Sequence, residues 1–549
     1  MTCESFERST GRCRKRGGSG RSIEFLHGRK RVLVMVAIMV LLLTSVVPLI
    51  SLNPIDADYP GTKYTVVYHK NDGSGNETTV EVEYHGSFVS TEYNPQFWNR
   101  TVIPSGGLIS QEPENWTNGF KVFTGWSTKA DGSDHVDPGD ILDLDEISPD
   151  GTIHLYAKWD RIVNQVTINS NDTYWDVQNK LSNITSDGDP YTNIININGT
   201  ISDNYILNLI FGKSVTIRGN GSNSQIDIGG SDRIIGADVI IDQIKLIGSH
   251  KENHGDGSGG LFANGHKLII GTRVDTGNSD SVTGYPQLFG GGIGNIRNTS
   301  LIVHSGTYGN IFGGSGSGGA GIGEDTKVVL RNVTVLDTLA GGSASGAGDI
   351  NGSTWIYATA LYMPGDYYEE KELGYSWGDS LPKLLESTII TGGSNGTSGA
   401  SDGQVSGSTH VLLSGISEVW DVQGGGRRGG TEVAETSYVE ISGNAVVKHI
   451  ACGGITDGES LFSNVKDVRL RVKDDARVAM LLGGGYDTWG SPGTGSTVSG
   501  NITIEIKGGT VGYIYGGGFR GVVGSLDTEV NISIEGGAVL QDVYGGGRG

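Results

Sequence analysis

Residues 439–454 read VEISGNAVVKHIACGG, and the same sentence is written again and again toward the end of the chain: LRVKDDARVAMLLGGG over 470–485, ITIEIKGGTVGYIYGGG over 502–518, and ISIEGGAVLQDVYGGG over 532–547. LIVHSGTYGNIFGG and VLLSGISEVWDVQGGG share the pattern further upstream. Each unit is an alternating strand, a two-residue turn, a short apolar stretch and a glycine cluster. The clusters begin at Gly424, Cys452, Gly483, Gly516 and Gly545, with spacings of 28, 31, 33 and 29 residues. A period in this range marks a solenoid, whose units bury their apolar faces only against one another. Alternation of period two, as in Ile502-Thr503-Ile504-Glu505-Ile506, excludes helical repeats. The reading is a parallel β-helix with Ile, Val and Leu stacked inward, glycine supplying positive-φ corners, and the length variation held in loops on one side.

Working outward, glycine numbers 16 in residues 1–160 and 75 in the following 389, which sets a domain boundary near Asp160. The total of 91 in 549 residues is far above the usual ~7 %. With no G-X-Y period and 13 prolines, the chain is not collagen. The formal charge is −21: residues 1–31 carry nine Lys/Arg against three Asp/Glu (+6), and the rest 31 against 58 (−27). An acidic body excludes sequence-independent nucleic-acid binding, and no nucleic-acid partner is expected.

Val32 to Ile50 is a run of nineteen uncharged residues abutted by Arg29, Lys30 and Arg31. It is long enough to cross a ~30 Å hydrocarbon core. The basic flank predicts a cytoplasmic tail over 1–31, a signal-anchor or signal peptide over 32–50, and an extracellular body over 51–549. The membrane is thus an expected partner through 32–50. Outside, Cys452 stands alone, so no disulfide is expected there, and no Cys/His zinc spacing exists. Thirteen N-x-S/T sequons lie in the body, at Asn76, Asn99, Asn115, Asn171, Asn183, Asn198, Asn220, Asn298, Asn332, Asn351, Asn395, Asn501 and Asn531. They are candidate glycosylation sites.

After a linker over 51–63, residues 64–160 have other habits. Tyr64-Thr65-Val66-Val67-Tyr68, a turn cluster at Asn71–Gly75, and Thr78–Tyr84 read as a hairpin, with further strands in FKVFTGW (120–126) and TIHLYAKW (152–159). YTVVYHKNDG, FKVFTGW, the Gly139-Asp140 turn and the closing LYAKW resemble the Listeria–Bacteroides repeat, or internalin B-repeat, over about 96 residues, with a surplus at 94–118. The resemblance implies a β-grasp-like module of bacterial and archaeal cell-surface proteins, without catalytic residues. The acidic run Asp134, Asp137, Asp140, Asp143, Asp145 and Glu146 lacks calcium-loop spacing and reads as a solvated turn.

At the start of the glycine-rich region, Thr173-x-x-Asp176 caps an amphipathic stretch over 171–181, and strands follow at 193–197, 213–217 and 237–241. A short helix leading into stacked strands is similar to the cap and first coils of pectate-lyase-like right-handed β-helices. The stretch 355–385 interrupts the repeats and reads as a projecting loop or hairpin. The final repeat ends at its glycine corner, which predicts further coils or end-to-end association.

Catalysis by such a solenoid needs paired carboxylates on adjacent coils, or calcium plus a base. The acids in the repeats are Asp421, Asp474-Asp475 and Asp542, none in a recognisable motif. Asp474-Asp475 replaces the Gly-Gly or Gly-Asn of sister turns, and His250, His254 and Asp256 sit in a glycine-rich loop. No catalytic, cofactor or metal residue is expected. Aromatics beside the glycines (Tyr308, Phe312, Trp420, Tyr486, Tyr513, Tyr515, Tyr544) suit glycan or protein contact, or stack as a ladder. The sequence therefore predicts an all-β, adhesin-like cell-surface protein. A surface polysaccharide lyase or hydrolase is the alternative, and a surface-layer component the second.

Overall fold

The computed structural model describes residues 62–547 except 72, 76, 85–99, 103–120, 137–140, 144–151, 162–163, 185–189, 203–206, 208–211, 229–231, 249–259, 277–284, 364–387, 397–402, 429–430, 457–462, 488–495, 520 and 525–527. The segment 32–50, the tail before it, Asn76, Asn99, Asn115, His250, His254 and Asp256 lie outside the described residues. Among the described residues no helix is long and apolar enough to cross a membrane.

Residues 62–161 hold a four-stranded mixed sheet in the order Glu77–Tyr84, Thr62–His69, Thr152–Arg161, Lys121–Ser127. Thr62–His69 runs parallel to Thr152–Arg161, which runs antiparallel to Lys121–Ser127. The aromatics named from sequence anchor it. Trp126 is buried with Tyr68 edge-on at 5.0 Å, and the Trp159 indole donates to the Lys70 carbonyl at 2.6 Å.

The solenoid begins at Asn164–Asn169 and continues through the helix α1 (Tyr174–Ser182), whose Thr173–Asp176 capping box forms as its sequence predicts and whose Val177 and Leu181 face the core. All following coils stack in parallel. One inward column shows the rule: Val166, Ile195, Ile217, Ile241, Ile270, Val303, Leu330, Ala358, Leu413, Ile441, Val472, Ile506 and Ile534 pair in unbroken succession. Twelve steps of ~4.8 Å make a rod of roughly 58 Å. The aliphatic β-branched residues that alternate in sequence thus form one continuous core. On the last coil Ile534, Leu540, Val543 and Tyr544 are exposed.

Register pairs Gln423, Ala451, Leu482, Tyr515 and Tyr544, so the five clusters counted from sequence are the same corner of five coils. Register puts the extra length after the corner: Val433 follows Arg427 by six residues, Val465 follows Ile455 by ten, and Val498 follows Tyr486 by twelve. Residues 355–363 correct the expected projecting loop, because Thr354–Met363 is a solenoid strand with Ile356 and Ala358 inward and Trp355 and Tyr357 outward. Outward aromatics gave it the look of an insertion. The remainder, 364–387, lies outside the described residues.

The role assigned to the glycine clusters also needs correction. Positive φ belongs instead to a bend two or three residues after the inward column, at Asn332 (54°), Ala360 (56°), Gly415 (65°), Gly443 (62°), Asp474 (60°), Gly509 (73°) and Gly537 (73°). Among the clusters only Gly454 has it; Gly516, Gly517 and Gly518 do not. Close approach excludes a side chain there instead. A Cβ on Gly341 would strike the Gly392 carbonyl oxygen, and one on Gly517 would lie 2.5 Å from the Gly547 nitrogen. From inside the coil a threonine column seals the corner: Thr299, Thr326, Thr354 and Thr409 hydroxyls donate to the carbonyls of Gly313, Gly341, Gly392 and Gly424 at 2.5–2.6 Å.

Two substitutions separate these roles. Gly341→Ala forces backbone apart and should lower stability by more than ~2 kcal/mol, whereas Ala360→Gly relieves a left-handed L-residue and should be neutral or stabilising by up to ~1 kcal/mol. Denaturant midpoints of the two variants measure the difference, and equal effects would remove the close-approach account.

Candidate functional site

The outward faces decide what the rod can contact. Most outward columns beside the glycine corner are closed by stacking. Phe262, Phe289 and Phe312 lie ring on ring at 4.3 and 5.2 Å, Tyr486 stacks on Phe519, and Tyr515 on Tyr544. Segments that follow the corner fold back over these columns, so Ala451, Ile455, Met480, Leu482, Tyr486 and Tyr515 form a second apolar layer outside the coil. Of the aromatics named from sequence, Tyr308, Phe312, Tyr486 and Tyr515 are buried and Tyr544 is exposed. Tyr308 points into the main core, where its hydroxyl donates to the Ser305 carbonyl at 2.9 Å. Trp420 is half-buried, with the Lys448 ammonium 4.9 Å over its ring.

Between the phenylalanine layer and the tyrosine layer the filling turns polar. Asp421 and His449 occupy paired positions on successive coils, and their side chains meet at 2.8 Å between Asp421 Oδ1 and His449 Nδ1. Both are enclosed, with 2 % and 8 % of the side chain exposed. Gln423, Asn395 and Arg427 are buried beside this pair in sequence and register. Asp421 Oδ2, Asn395 Oδ1 and both amide atoms of Gln423 have no hydrogen-bond partner among the described residues. Burial pushes the Asp421 carboxyl above the ordinary carboxylate range, against the opposing pull of His449 and Arg427. The strand partner of Asp421 on the preceding coil is Ile389, while Met363 pairs with Val419, so the register passes from Met363 to Ile389 across the position of Trp420.

Asp421 stood among the repeat acids in sequence, but His449 went unremarked. Its signal was arithmetic. His449 follows Asp421 by 28 residues, the same step that separates Gly424 from Cys452. The pair offers a proton acceptor and an acid, though enclosure makes it a tie between coils before anything else.

The remaining candidates are structural. Asp474 occupies the left-handed turn and accepts the Gly443 N–H at 2.9 Å, and Asp542 accepts the Tyr544 hydroxyl at 3.1 Å. Asp134 caps its own turn through Ser127 and Thr128; burial raises its pKa, but these hydrogen bonds outweigh it and hold the carboxyl low. Cys452 is buried, and burial pushes its thiol up. Among the described residues no group of three or more His, Cys, Asp or Glu is placed to hold a metal. Of the described sequons, Asn171, Asn183, Asn198, Asn220, Asn298, Asn332, Asn351, Asn501 and Asn531 are exposed, whereas Asn395 is enclosed.

The inter-coil pair makes a pH-dependent statement. A raised carboxyl pKa favours the neutral form in the fold, so the cost of Asp421 is absent at pH below its ordinary value and grows as pH rises. Removing the partner with His449→Ala should therefore cost on the order of 3 kcal/mol at pH 7 and distinctly less at pH 4. Adding Asp421→Asn should erase that pH dependence. Denaturant melts at the two pH values read this, and an equal loss at both would show that the pair carries no charge coupling.

Comparison with known proteins returns no match for this chain, whether to a family model, a curated protein or a solved structure.

Proposed function

We propose that the chain is an adhesin-like cell-surface protein. Residues 32–50 hold it in the membrane or direct its export, residues 64–160 form a β-grasp-like B-repeat module, and a right-handed β-helix is presented outward. Parallel strands joined by crossovers favour that hand. The parallel pairing of the first and last strands of the mixed sheet supports the B-repeat reading. The solenoid acts by binding glycans or proteins, without catalysis and without a cofactor. The observation that carries this reading is the enclosure of Asp421 and His449 at paired positions on successive coils. An acid–base pair must reach the proton it moves, and this one is covered. Nine exposed sequons suit a glycosylated extracellular body.

A second reading, a surface polysaccharide lyase or hydrolase, draws on the same pair, because it lies on the outward side of parallel strands beside the buried Gln423, Asn395 and Arg427. A surface-layer component is the third.

One set of measurements separates the three. The body, residues 51–549, is expected to bind members of a glycan or host-protein array while releasing no reducing ends or unsaturated products from uronate-containing and neutral polysaccharides. Cleavage that disappears in Asp421→Asn would transfer the assignment to the enzyme, and regular two-dimensional arrays without ligand binding would transfer it to the surface layer. In the natural host, peptide mapping should find glycans at exposed asparagines and none at Asn395; a glycan on Asn395 would contradict its enclosure in the fold.

A further inference from the structure

The FxGW element of the mixed sheet has a consequence outside that sheet. Gly125 adopts a φ of 143°, and a Cβ there would lie 2.7 Å from the Val136 carbonyl oxygen and 2.9 Å from His135 Cε1. The glycine thus makes room for the imidazole of His135 at the end of the turn that closes on Val136. That imidazole faces the ring of Tyr191, 6.4 Å away and tilted by 55°. Between them opens a cleft of ≈ 90 Å³, also lined by Asp238, Ile240, Lys267 and Ile269 from two successive coils.

Its lining has two chemistries. Ile240 and Ile269 are outward neighbours in one apolar column, and they give the cleft an aliphatic wall. Asp238 and Lys267 bring opposite charges to the same space. The Asp238 carboxylate is fixed by accepting the Lys267 backbone N–H at 2.9 Å, with the His266 imidazole 3.9 Å away. A carboxylate has lone pairs for several donors and an ammonium has three N–H groups, so together they suit vicinal hydroxyls without favouring a net charge. An aromatic ring beside an aliphatic wall suits the C–H face of a sugar. At about 30 Å³ per liquid water the cleft has room for roughly three waters, so it takes one edge of a sugar ring and leaves the rest in solvent.

We propose that this cleft, built from His135, Tyr191, Asp238 and Lys267 around Ile240 and Ile269, binds a single neutral hexopyranose unit, such as the end of a glycan chain. Tyr191 stacks on the ring, while Asp238 accepts from and Lys267 donates to adjacent hydroxyls. The assignment rests on the glycan-binding form of the adhesin reading and names its site.

The test uses the full chain and the methyl glycosides of glucose, galactose and mannose, read by saturation-transfer NMR. Tyr191→Ala and Asp238→Asn are compared with Trp175→Ala, an exposed aromatic on α1 outside the cleft. Binding of at least one glycoside is expected, weakened tenfold or more in both cleft variants and unchanged in Trp175→Ala. Melting curves of all three should match the native chain; Asp238→Asn keeps an oxygen for the Lys267 N–H and remains the deciding variant if Tyr191→Ala does not fold. Native-like binding by folded cleft variants would overturn the site while leaving a glycan-binding protein. Failure of the native chain to bind any of these glycosides, with glycans captured elsewhere on an array, would overturn the site alone. Failure on both would overturn the site and the glycan-binding reading together.

Discussion

Everything in the solenoid depends on how closely one coil lies on the next at the glycine corner. Parallel backbone hydrogen bonds fix the step at ~4.8 Å, and at the corner the chain must turn without leaving that spacing. Backbone then meets backbone. Gly313, Gly341 and Gly392 each point the space of a missing Cβ at the carbonyl oxygen of the corner glycine above, Gly341, Gly392 and Gly424. The threonine column beneath is the counterpart, since its hydroxyls satisfy corner carbonyls from the inside. Where the column passes to Ser437 and Val468, the corner residue of the coil holding Ser437 and Val446–Ala451 is Cys452. Ser437 Oγ then has no hydrogen-bond partner among the described residues. On the following coils Val468 and Ile502 continue the column while Gly483 and Gly516 restore the glycine corner, so close approach and not the hydroxyl column sets the corner residue.

This explains which parts of the fold were legible. Coil period, strand alternation, the capped helix and the turn at Asp474 all leave one-dimensional traces, because each is set by neighbours in sequence. The reason for the glycines leaves no such trace. A positive-φ glycine and a glycine crowded by the coil above look identical in GGG, and only the three-dimensional stack separates them. Asn332, Ala360 and Asp474 carry the hint, since the left-handed position accepts varied side chains, whereas among the five corners counted from sequence only Cys452 begins with one. The strand at 354–363 was hidden for a related reason: Trp355 and Tyr357 lie outward, where size is not limited by the core.

The site was less legible than the fold. Asp421 and His449 are 28 residues apart, and their meeting follows from register alone, not from any local pattern. The cleft was less visible still. His135 comes from the mixed sheet, Tyr191 from the approach to an early coil, and Asp238 and Lys267 from two later coils. No spacing in sequence joins those four, though the FTGW glycine that admits His135 was conspicuous for another reason.

A final constraint concerns how near-identical coils keep their order. An inward column of Ile, Val and Leu accepts any other coil's Ile, Val or Leu, so hydrophobic burial fixes the face a residue uses but scarcely the coil it stacks on. Polar pairs are not interchangeable in this way. Asn164 with Asn193, Gln287 with Asn310, Asp421 with His449, Lys473 with Glu440, and Arg471 with Glu505 each join one coil to one particular neighbour. A slip by one coil would leave these groups buried without their partners, and each uncompensated charge costs several kcal/mol. The apolar columns therefore supply most of the stability, and the few polar ties between coils make one order of stacking better than the others.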